Sequence, residues 1–584
     1  MRRTPVAETV PDPHRGIAIR LSGSGGDGII SAGEILAGAA ARAGWAVGGW
    51  RETPTEVSGG HAGFTLRLGA GRVLAPPDRL DWVIDLGTGT AGRHAADLGG
   101  SGLLLHESGG LKPELPGGIT AIGLPFEAIA RSETGNGRSR NAVALGTAAA
   151  ILGIPAELPA ELAAIRYGWS GAAGEGGRRA LRAGHALALE RLGPSRLPAA
   201  PAGGAAGQVL LSGNEAVARG AVAAGCRRFY GYPITPATEI LERLAVELPR
   251  RGGSALSVED ELAALAMCLG SSFAGDKAMT ATSGPGFSLM AELLGLAAAA
   301  EIPVVVVDVQ RAGPCTGLPT RTEQGDLLAA VFGGHGDFPR IVVAPIDVAD
   351  AFHQTVHAFN LAERWQVPVI LLSDQDLAQR LQTVPEPDDG TVAIVERTRE
   401  APGDGAFRRY APAPDGVSPM PPPGTPGRCW RASGQEHDES GLPSADPENH
   451  VRMMRRRAAK LDGIPDDACG AETFGAPAAE TLVLGWGSTY GAVREAVERL
   501  CAAGTPVRGI YPKRLWPYPA RRLEPEVARA RRVVVPEASA GGGWARLVEM
   551  HHGVRAIRVA RFDGRPFRPG DLADRIEEIA LRGR

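Results

Sequence analysis

The sequence predicts an α/β protein with three doubly wound or Rossmann-like units in one chain. Short runs rich in β-branched residues alternate with Ala-rich segments of helical periodicity along most of its length. That alternation is typical of a mostly parallel sheet covered by helices. The chain also has 584 residues, which is too many for a single hydrophobic core.

The first unit is predicted over residues 16–195. GIAIRL is expected to form a strand, the Ala-rich run from Ile29 to Ala43 a helix, and WAVGGW a second strand. Residues 196–207 lie in a Pro-, Ala- and Gly-rich stretch, GPSRLPAAPAGGAAG. Because this composition is typical of a linker, the next unit should begin near Gln208.

The second unit is predicted over residues 208–383. Strands are expected at RRFYGY, KAMTAT, IPVVVVDV and VPVILLS. Helices should begin between them, near Asn214, Pro236, Glu261 and Ser288. This order predicts a second doubly wound sheet.

Residues 384–477 are predicted to form a connector, because SPMPPPGTPG (418–427) contains too much proline for a regular element. The basic run RMMRRRAAK (452–460) is expected to be a helix with a solvated face. The third unit follows over residues 478–584. Its strands are expected at TLVLGWG, PVRGIY and RRVVVPEAS, with a helix from about Tyr490.

Composition excludes several classes of protein. The formal net charge is −3, so nothing marks the whole chain as a nucleic-acid binder. The longest apolar run, Phe287 to Val309, is broken by Glu292, Glu301 and Pro303, which a membrane span would not tolerate. The N-terminal segment carries arginines but no apolar core, so it does not read as a signal peptide. A cytoplasmic protein is the resulting prediction.

The cysteines predict no metal site within this chain. No two of them form a C-x-x-C pair, and none has a histidine at the spacing of zinc ligands. Reduced thiols are therefore expected, and no iron–sulfur cluster held by this chain alone. The six are Cys226, Cys268, Cys315, Cys429, Cys469 and Cys501.

The turn GSGGDG matches the pattern G-x-G-x-x-G between a predicted strand and helix, with Glu52 at the end of the next strand. In that context glycines let a phosphate approach backbone N–H groups at a helix N-terminus. The nucleotide-binding candidates are Gly23, Gly25, Gly26 and Gly28. The alternatives are NAD or FAD, another nucleotide such as coenzyme A, or a tight turn that binds nothing.

The same turn contains Gly26-Asp27-Gly28, which looks like the opening of an Mg²⁺–diphosphate motif. That motif needs an asparagine about one βα unit downstream as a second oxygen ligand for the cation. The sequence has no asparagine between Gly28 and Asn136. This chain is therefore not expected to hold a cofactor diphosphate by this route.

Four loops in the second unit follow predicted strands. They contain the proline-flanked YPITP, the acidic run Glu259–Glu261, the turn TSGPGF, and a polar loop that continues to Asp326. Because the carboxyl ends of parallel strands meet at one edge of a sheet, these loops should form a ligand crevice. Each could also be ordinary turn or helix-capping structure, but four in one unit favour a site.

Several motifs now resemble a known family. YPITP, EDELAA, TSGPGF, VQRAGPCTGLPTRTEQGD, HGDFPR, GQEHDESG and GWGSTYG are similar, in that order, to the α subunits of 2-oxoacid:ferredoxin oxidoreductases. The likeness is greatest to the 2-oxoglutarate branch. The first unit, with GSGGDG and the later GGHAGF, resembles the family's γ subunit. The resemblance implies a γ-type domain, a thiamine-diphosphate pyrimidine-binding domain and a transketolase C-terminal-like domain.

The resemblance implies that this chain holds the pyrimidine side of thiamine diphosphate. A carboxyl must hydrogen-bond the ring nitrogen opposite the exocyclic amine, so that the thiazolium carbon can lose its proton. Glu261 fits best, since its helix resembles the glutamate-headed helix of thiamine enzymes, and Glu259 is the second choice. The expected cofactor contacts are Tyr232, Pro233, Ile234, Glu261, Ser283 and Gly284.

A 2-oxo acid carries a carboxylate, for which a positioned guanidinium is the natural partner. Arg311 follows a buried strand directly and is the expected partner, while Arg321 is the alternative. Thr235 and Thr320 are expected to contribute hydroxyl groups to the substrate site.

The implied reaction converts a 2-oxo acid and coenzyme A to an acyl-CoA and CO₂, or the reverse. The implied partner is a β-type subunit that carries the Mg²⁺–diphosphate motif and a 4Fe-4S cluster, with ferredoxin as the electron acceptor. 2-Oxoglutarate is the favoured substrate, and pyruvate or a branched-chain 2-oxo acid is the alternative. The rival hypotheses are an NAD- or FAD-dependent oxidoreductase, a scaffold without catalysis, and a transketolase-like enzyme without electron transfer.

Overall fold

Three β-sheets flanked by α-helices make up the protein, so the predicted α/β class is confirmed. The computed structural model describes residues 16–54, 60–87, 93–109, 115, 119–194, 207–400 and 407–582. Residues 196–206 of the predicted linker lie outside them. The first of two compact units runs to Leu211 and includes Arg380–Glu386 and Arg568–Asp571, and the second contains the remaining residues.

The first unit contains one mixed sheet. Numbered along the chain, its strands are β1 (Ile17–Ser24), β2 (Ala46–Glu52), β3 (His61–Gly69), β4 (Leu80–Asp85), β5 (Leu98–Glu107), β6 (Thr120–Leu124), β7 (Gln208–Ser212) and β14 (Leu381–Pro385). Its helices are α1 (Ile29–Arg42), α2 (Phe126–Thr134), α3 (Arg140–Ile151), α4 (Glu157–Tyr167) and α5 (Gly171–Leu192). The strand order is β6-β5-β4-β1-β3-β2-β14-β7.

The first sheet is not parallel throughout. Strand β1 pairs parallel with β4 but antiparallel with β3, which is itself antiparallel to β2. Helices α3 and α5 pack closely on each other, because Gly146 and Gly184 leave room for the facing backbone carbonyls of Leu181 and Val143. A Cβ at either glycine would collide with that carbonyl oxygen, so both positions require glycine for this packing.

The second unit contains two sheets. The strands are β8 (Arg228–Gly231), β9 (Ser254–Ser257), β10 (Ala278–Thr282), β11 (Val304–Gln310), β12 (Ile341–Val343), β13 (Pro368–Asp374), β15 (Ala471–Gly475), β16 (Thr481–Leu484), β17 (Arg508–Pro512), β18 (Arg514–Trp516), β19 (Arg532–Glu537) and β20 (Ala556–Ala560).

The helices that follow α5 begin with α6 (Gly213–Ala223), α7 (Thr238–Glu247), α8 (Glu261–Phe273), α9 (Gly284–Leu289), α10 (Ala291–Ala299), α11 (Leu327–Phe332) and α12 (Val348–Trp365). They continue with α13 (Gln375–Gln379), α14 (Pro447–Asp462), α15 (Tyr490–Ala502), α16 (Ala520–Arg529), α17 (Gly543–His552) and α18 (Pro569–Leu581). The helix expected near Ser288 begins earlier, at Gly284, because Pro285 is well suited to a first helical turn.

The seven-stranded sheet has the order β18-β12-β13-β11-β10-β8-β9, and the five-stranded sheet has the order β15-β17-β16-β19-β20. Strands β8 to β13 run parallel, and their apolar side chains form a core with the helices. Strand β18 lies among the C-terminal residues but pairs antiparallel with β12 at the edge of the larger sheet. Because β18 directly follows β17 of the five-stranded sheet, this pairing links the two sheets of the second unit.

The basic helix has the predicted solvated face, on which Arg452 and Arg455 are exposed, but its other face is buried. The run lies within α14, but Lys460 is fully buried, and its Nζ contacts the Glu301 carboxylate at 2.6 Å. Arg456 and the connector residue Arg409 also pair with Glu301. Burial alone would raise the pKa of Glu301, but these three cations hold it below its ordinary value. Burial lowers the pKa of Lys460 to about 8.

We expect Glu301→Gln to lower the free energy of unfolding by about 3–5 kcal/mol, because three buried cations would lose the anion with which they pair. The measurement is the midpoint and slope of urea unfolding for the purified chain. Glu498→Gln is the control, since Glu498 pairs with Arg494 at the surface and is 56% exposed. That change should cost at most about 1 kcal/mol. Equal effects of the two changes would contradict the prediction.

Candidate active site

The four loops identified in the sequence meet at one edge of the seven-stranded sheet. They follow β8, β9, β10 and β11, which are adjacent and parallel in the order β11-β10-β8-β9. The chain leaves β8 toward β9 on one side and leaves β10 toward β11 on the other. Such a switch point opens a crevice at the carboxyl ends of the strands, where α/β proteins bind ligands.

The three acidic residues after β9 have different environments. Asp260 caps α8 by accepting a hydrogen bond from the Ala263 N–H at 2.7 Å. Glu259 is exposed to solvent. Glu261, the first residue of α8, is buried with 7% of its surface exposed. Of the three, only Glu261 has the burial expected of a carboxyl that faces a cofactor ring.

Glu261 packs against the turn that follows β10. A Cβ at Gly286 would collide with Glu261 Oε1, so this glycine is required for the carboxylate to lie over the start of α9. Within the described ranges no residue donates a hydrogen bond to this carboxylate. Its hydrogen-bonding capacity is therefore available to a ligand. The position therefore fits a ring nitrogen that shares a proton with the carboxyl.

Asn214, which the sequence predicted only to lie near a helix start, fixes the YPITP loop by a hydrogen bond. Asn214 of α6 is 1% exposed, and its Nδ2 donates a hydrogen bond to the Pro236 carbonyl oxygen at 2.9 Å. Tyr232 and Pro233 are exposed, while Ile234 is half-buried. The hydrogen bond thus fixes the end of the loop, while its first residues, Tyr232 and Pro233, remain exposed.

Arg311 and Thr235, predicted to share the substrate site, lie in contact. Arg311 Nη1, in the loop that follows β11, donates a hydrogen bond at 2.8 Å to the carbonyl oxygen of Thr235, in the loop that follows β8. Arg311 is 9% exposed, and its Nε has no partner among the described residues. Burial lowers the pKa of this guanidinium below its ordinary value. A guanidinium held in place beside the crevice is the group that suits a carboxylate ligand.

Two other predicted site residues also carry buried, unpartnered hydroxyl groups. These are Thr320 Oγ1, in the loop of Arg311, and Ser283 Oγ, at the start of α9; neither has a partner in the described part of the chain. Gly284 follows Ser283 and contacts the Asp326 carboxylate, which would lie 2.7 Å from an added Cβ. The alternative arginine, Arg321, packs its side-chain stem on Gly564.

The loop of Arg311 is anchored to the five-stranded sheet by Gln324. Gln324 Nε2 donates to the Trp486 carbonyl oxygen at 3.1 Å, and Gln324 Oε1 accepts from the Ala538 N–H at 2.9 Å. Gln324 is 1% exposed. Sequence reasoning did not identify this residue, because its partners lie more than 150 positions away along the chain.

Sequence reasoning also missed two buried acids at this end of β11. Asp308 lies in β11 and is fully buried, and Asp326 immediately precedes α11. Burial, and then Asp326, raises the pKa of Asp308 well above its usual range. Burial raises the pKa of Asp326 to about 6, although the Arg311 guanidinium acts to lower it. The sequence feature that could have identified Asp308 is its place inside the otherwise mostly apolar strand VVVVDVQ.

The GSGGDG turn of the first unit contains its own anion. The Asp27 carboxylate accepts a hydrogen bond from the Ser24 N–H at 3.0 Å and pairs with Arg140 at 2.9 Å. Glu52 pairs with Arg20. Strands β1 and β2 are separated by the antiparallel β3, which is not the adjacent parallel pair of a dinucleotide fold. These features argue against an NAD or FAD phosphate at this turn.

Two kinds of feature are absent from the part of the chain that the structure describes. No group of three or more His, Cys, Asp or Glu side chains is arranged to hold a metal ion. No helix in these ranges combines the length and apolar character needed to cross a membrane.

Three family models match successive parts of the chain. The model for pyruvate ferredoxin/flavodoxin oxidoreductase matches residues 18–187. The thiamine diphosphate-binding model of pyruvate flavodoxin/ferredoxin oxidoreductase matches residues 219–456, and core domain II of pyruvate:ferredoxin oxidoreductase matches residues 479–572. Together these matches extend over most of the sequence.

Individual relatives agree with these models. The 2-oxoglutarate synthase subunit KorA of Methanothermobacter marburgensis is 37% identical over 63% of this chain and 98% of its own length. Subunit alpha of 2-oxoacid:ferredoxin oxidoreductase 2 from Aeropyrum pernix is 31% identical over 97% of this chain and 98% of its own. A solved structure of 2-oxoglutarate:ferredoxin oxidoreductase from Magnetococcus marinus, with 2-oxoglutarate, coenzyme A and succinyl-CoA bound, has 37% identity and a TM-score of 0.90. It covers 97% of this chain and 99% of that chain.

Proposed function

The chain belongs to the 2-oxoacid:ferredoxin oxidoreductase family, and on that premise we propose that it is the α-type subunit, with a fused γ-type domain, of a 2-oxoglutarate:ferredoxin oxidoreductase. The proposed reaction converts 2-oxoglutarate and coenzyme A to succinyl-CoA and CO₂, with electrons passed to ferredoxin, or runs in reverse. The observation that carries the proposal is the pairing of Arg311 with Thr235 at the crevice that also holds Glu261. Names of relatives favour 2-oxoglutarate over pyruvate and branched-chain 2-oxo acids.

The residues of the crevice fit the aminopyrimidine of thiamine diphosphate. When bound, this cofactor supplies a carbon nucleophile for the 2-oxo carbon and a sink for the electrons left after CO₂ departs. Glu261 would share a proton with the ring nitrogen, and its burial keeps water from competing for that proton. The loop residues that would surround the ring are Tyr232, Pro233, Ile234, Ser283 and Gly284.

The substrate site would use the donors that lack protein partners. Arg311 would bind the carboxylate next to the 2-oxo group, and the hydrogen bond to the Thr235 carbonyl would fix the direction of its guanidinium. Thr320 Oγ1 and the Thr235 hydroxyl would complete the contacts. Coenzyme A is the proposed acyl acceptor. The four glycines of the GSGGDG turn remain a prediction for its nucleotide, although Asp27 occupies that turn.

A β-type partner is proposed to close the site and to hold Mg²⁺, the diphosphate and the 4Fe-4S cluster. The elements that carry the crevice residues also expose apolar side chains, at Tyr232, Leu262, Leu289 and Leu318. Exposed apolar side chains concentrated near a site are typical of a surface that is covered in an assembly. The sequence itself lacks the second ligand of an Mg²⁺–diphosphate motif and the paired cysteines of a cluster.

We expect the purified chain to bind no iron and to oxidise no 2-oxo acid alone. Co-expression with the β-type subunit should restore 2-oxoglutarate- and coenzyme A-dependent reduction of ferredoxin. The assay should compare 2-oxoglutarate with pyruvate and 2-oxoisovalerate at equal concentration. Turnover by the single chain would contradict the proposed division of labour, and preference for pyruvate would contradict the proposed substrate.

A further inference from the structure

The five-stranded sheet has a ligand crevice of its own, and a side chain of this protein lies in it. Strands β16 and β19 are adjacent and parallel, and the chain leaves β16 toward β17 but leaves β19 toward β20 on the opposite side. Open α/β sheets bind ligands at such a switch point, beyond the carboxyl ends of the strands. Here the occupant is Gln324, from the loop that also carries Arg311 and Thr320.

Gln324 forms hydrogen bonds with both strand ends. Beyond β16, the Trp486 carbonyl oxygen accepts from Gln324 Nε2 at 3.1 Å. Beyond β19, the Ala538 N–H donates to Gln324 Oε1 at 2.9 Å, and the Gln324 N–H donates to the Ala538 carbonyl oxygen at 2.6 Å. All three residues are buried. A primary amide is the side chain that offers a donor and an acceptor side by side, so the crevice matches this residue type.

The GWGSTYG turn after β16 is shaped for this contact. Gly487 has a φ of 62°, in the left-handed region, and a Cβ there would lie 2.7 Å from Gln324 Nε2. Any side chain at this position would therefore strain the turn and push the amide away. We call the backbone of Trp486, Gly487 and Ala538 the Gln324 socket. The socket gives a physical reason for a glycine in a motif that the sequence identified by resemblance alone.

Backbone hydrogen bonds within the loop link Gln324 to the proposed substrate residues. The Arg321 carbonyl oxygen accepts from the Ala312 N–H at 2.9 Å. This bond pairs the segment just before Gln324 with the residue that follows Arg311. Thr320 immediately precedes the same pair. A displacement of Gln324 would therefore be transmitted to both Arg311 and Thr320.

We propose that Gln324 is a positioning residue, and that its socket holds the loop of Arg311 and Thr320 in the conformation that binds the 2-oxo acid. This inference rests on the proposed function, which gives those two residues their part in substrate binding. The crevice of the five-stranded sheet would thus serve an internal ligand, and that sheet would contribute to substrate affinity through the loop. A loop already held in its bound conformation loses less entropy when the substrate binds.

Gln324→Glu tests the two side-chain hydrogen bonds in the assembled enzyme. A neutral carboxylic acid can still accept from Ala538 and donate to the Trp486 carbonyl oxygen, but a carboxylate has no donor for that oxygen. Burial should raise the pKa of the introduced carboxyl toward the assay range. The ratio of KM for 2-oxoglutarate between variant and wild type should stay within about threefold at about pH 6. It should rise to about tenfold by about pH 8.5, while kcat changes less than about threefold.

Gln324→Met provides the pH-independent comparison. Methionine has a similar volume but can make neither of the two hydrogen bonds, so KM should be about tenfold above the wild type at both pH values. Exchange at the thiazolium carbon of bound thiamine diphosphate should stay normal in both variants, because Gln324 acts on the substrate loop and not on the cofactor ring.

Gly487→Ala tests the socket from its other side, and Gly504→Ala is the matched control. Both glycines lie in turns next to strands of the five-stranded sheet and have left-handed backbone, but no described atom lies within 4 Å of a Cβ at Gly504. Gly487→Ala should raise KM about tenfold, whereas Gly504→Ala should leave KM near the wild-type value. In the Gln324→Met background, Gly487→Ala should add little, because both changes disrupt the same contact.

Amide hydrogen exchange supplies a measurement that needs no turnover. The Ala538 N–H loses its acceptor in Gln324→Met, so exchange in the peptide that contains it should become about tenfold faster, as should exchange in residues 312–323. A pH-independent KM ratio in Gln324→Glu, equal KM values for the two glycine variants, or unchanged loop exchange would overturn the inference. An inactive wild-type assembly would instead refute the proposed function, and the exchange experiment would still test the socket.

Discussion

Glu261→Gln should slow turnover of the assembled enzyme by about 10²–10⁴-fold, which is the usual contribution of a positioned acid–base group. Gln is nearly isosteric with Glu, so it should still fit against Gly286 without a clash. Folding and assembly should therefore survive. The direct measurement is hydrogen–deuterium exchange at the thiazolium carbon of bound thiamine diphosphate, which should be slow in the variant.

Glu259→Gln is the matched control for this experiment. Glu259 lies two residues earlier but is exposed, so its loss should leave both exchange and turnover near the wild-type values. Asp260 is unsuitable as a control, because its carboxylate caps α8 and its loss would destabilise the helix start. Normal exchange in the Glu261→Gln variant would contradict the predicted catalytic role and leave Glu261 with only a structural role at the start of α8.

Arg311→Ala should raise KM for 2-oxoglutarate by about tenfold to a hundredfold, because a charge-assisted contact contributes roughly 1.5–3 kcal/mol. The affinity for thiamine diphosphate should change little, since the hydrogen bond from Arg311 to the YPITP loop is accepted by the Thr235 backbone carbonyl and not by a residue expected to contact the cofactor ring. Steady-state kinetics on the assembled enzyme and cofactor titration followed by tryptophan fluorescence would measure the two effects separately.

Two further variants sharpen this prediction. Arg311→Lys keeps the charge but loses the planar pair of donors, so it should recover only part of the affinity. Arg321→Ala should leave KM nearly unchanged, since the stem of Arg321 packs on Gly564. If Arg321→Ala raises KM and Arg311→Ala does not, the substrate contact belongs to the other arginine of the loop.

Local sequence patterns were enough to predict the α/β class and most strands near the site. Strands β10 and β11 are buried on both faces, and β11 accordingly begins with four successive valines. Proline- and glycine-containing turns indicated where the loops lie. Because the strands that precede these loops are parallel neighbours, the loops meet at one edge of the sheet even though they are far apart in sequence. The crevice was therefore predictable from the order of the motifs, helped by their resemblance to a family.

The environments of neighbouring polar residues depended on tertiary structure. Resemblance to thiamine enzymes favoured Glu261 over Glu259, but only the structure shows that the Glu261 carboxyl packs against Gly286 while Glu259 is exposed. Asp308 was included in the predicted strand IPVVVVDV without any role of its own. Its relation to Asp326 exists only because a loop of 15 residues, from 311 to 325, returns to the end of the same sheet.

Long-range partners were equally invisible in the sequence. A basic run such as that of α14 is usually solvated, but here it meets the buried Glu301, which lies 159 positions from Lys460. Strand β18 is only three residues long and finds its partner in β12 of another sheet. Sequence alone determined which segments would form regular elements, because that depends on neighbours along the chain. Burial, ion pairing and protonation were decided by the tertiary structure, because they depend on neighbours in space.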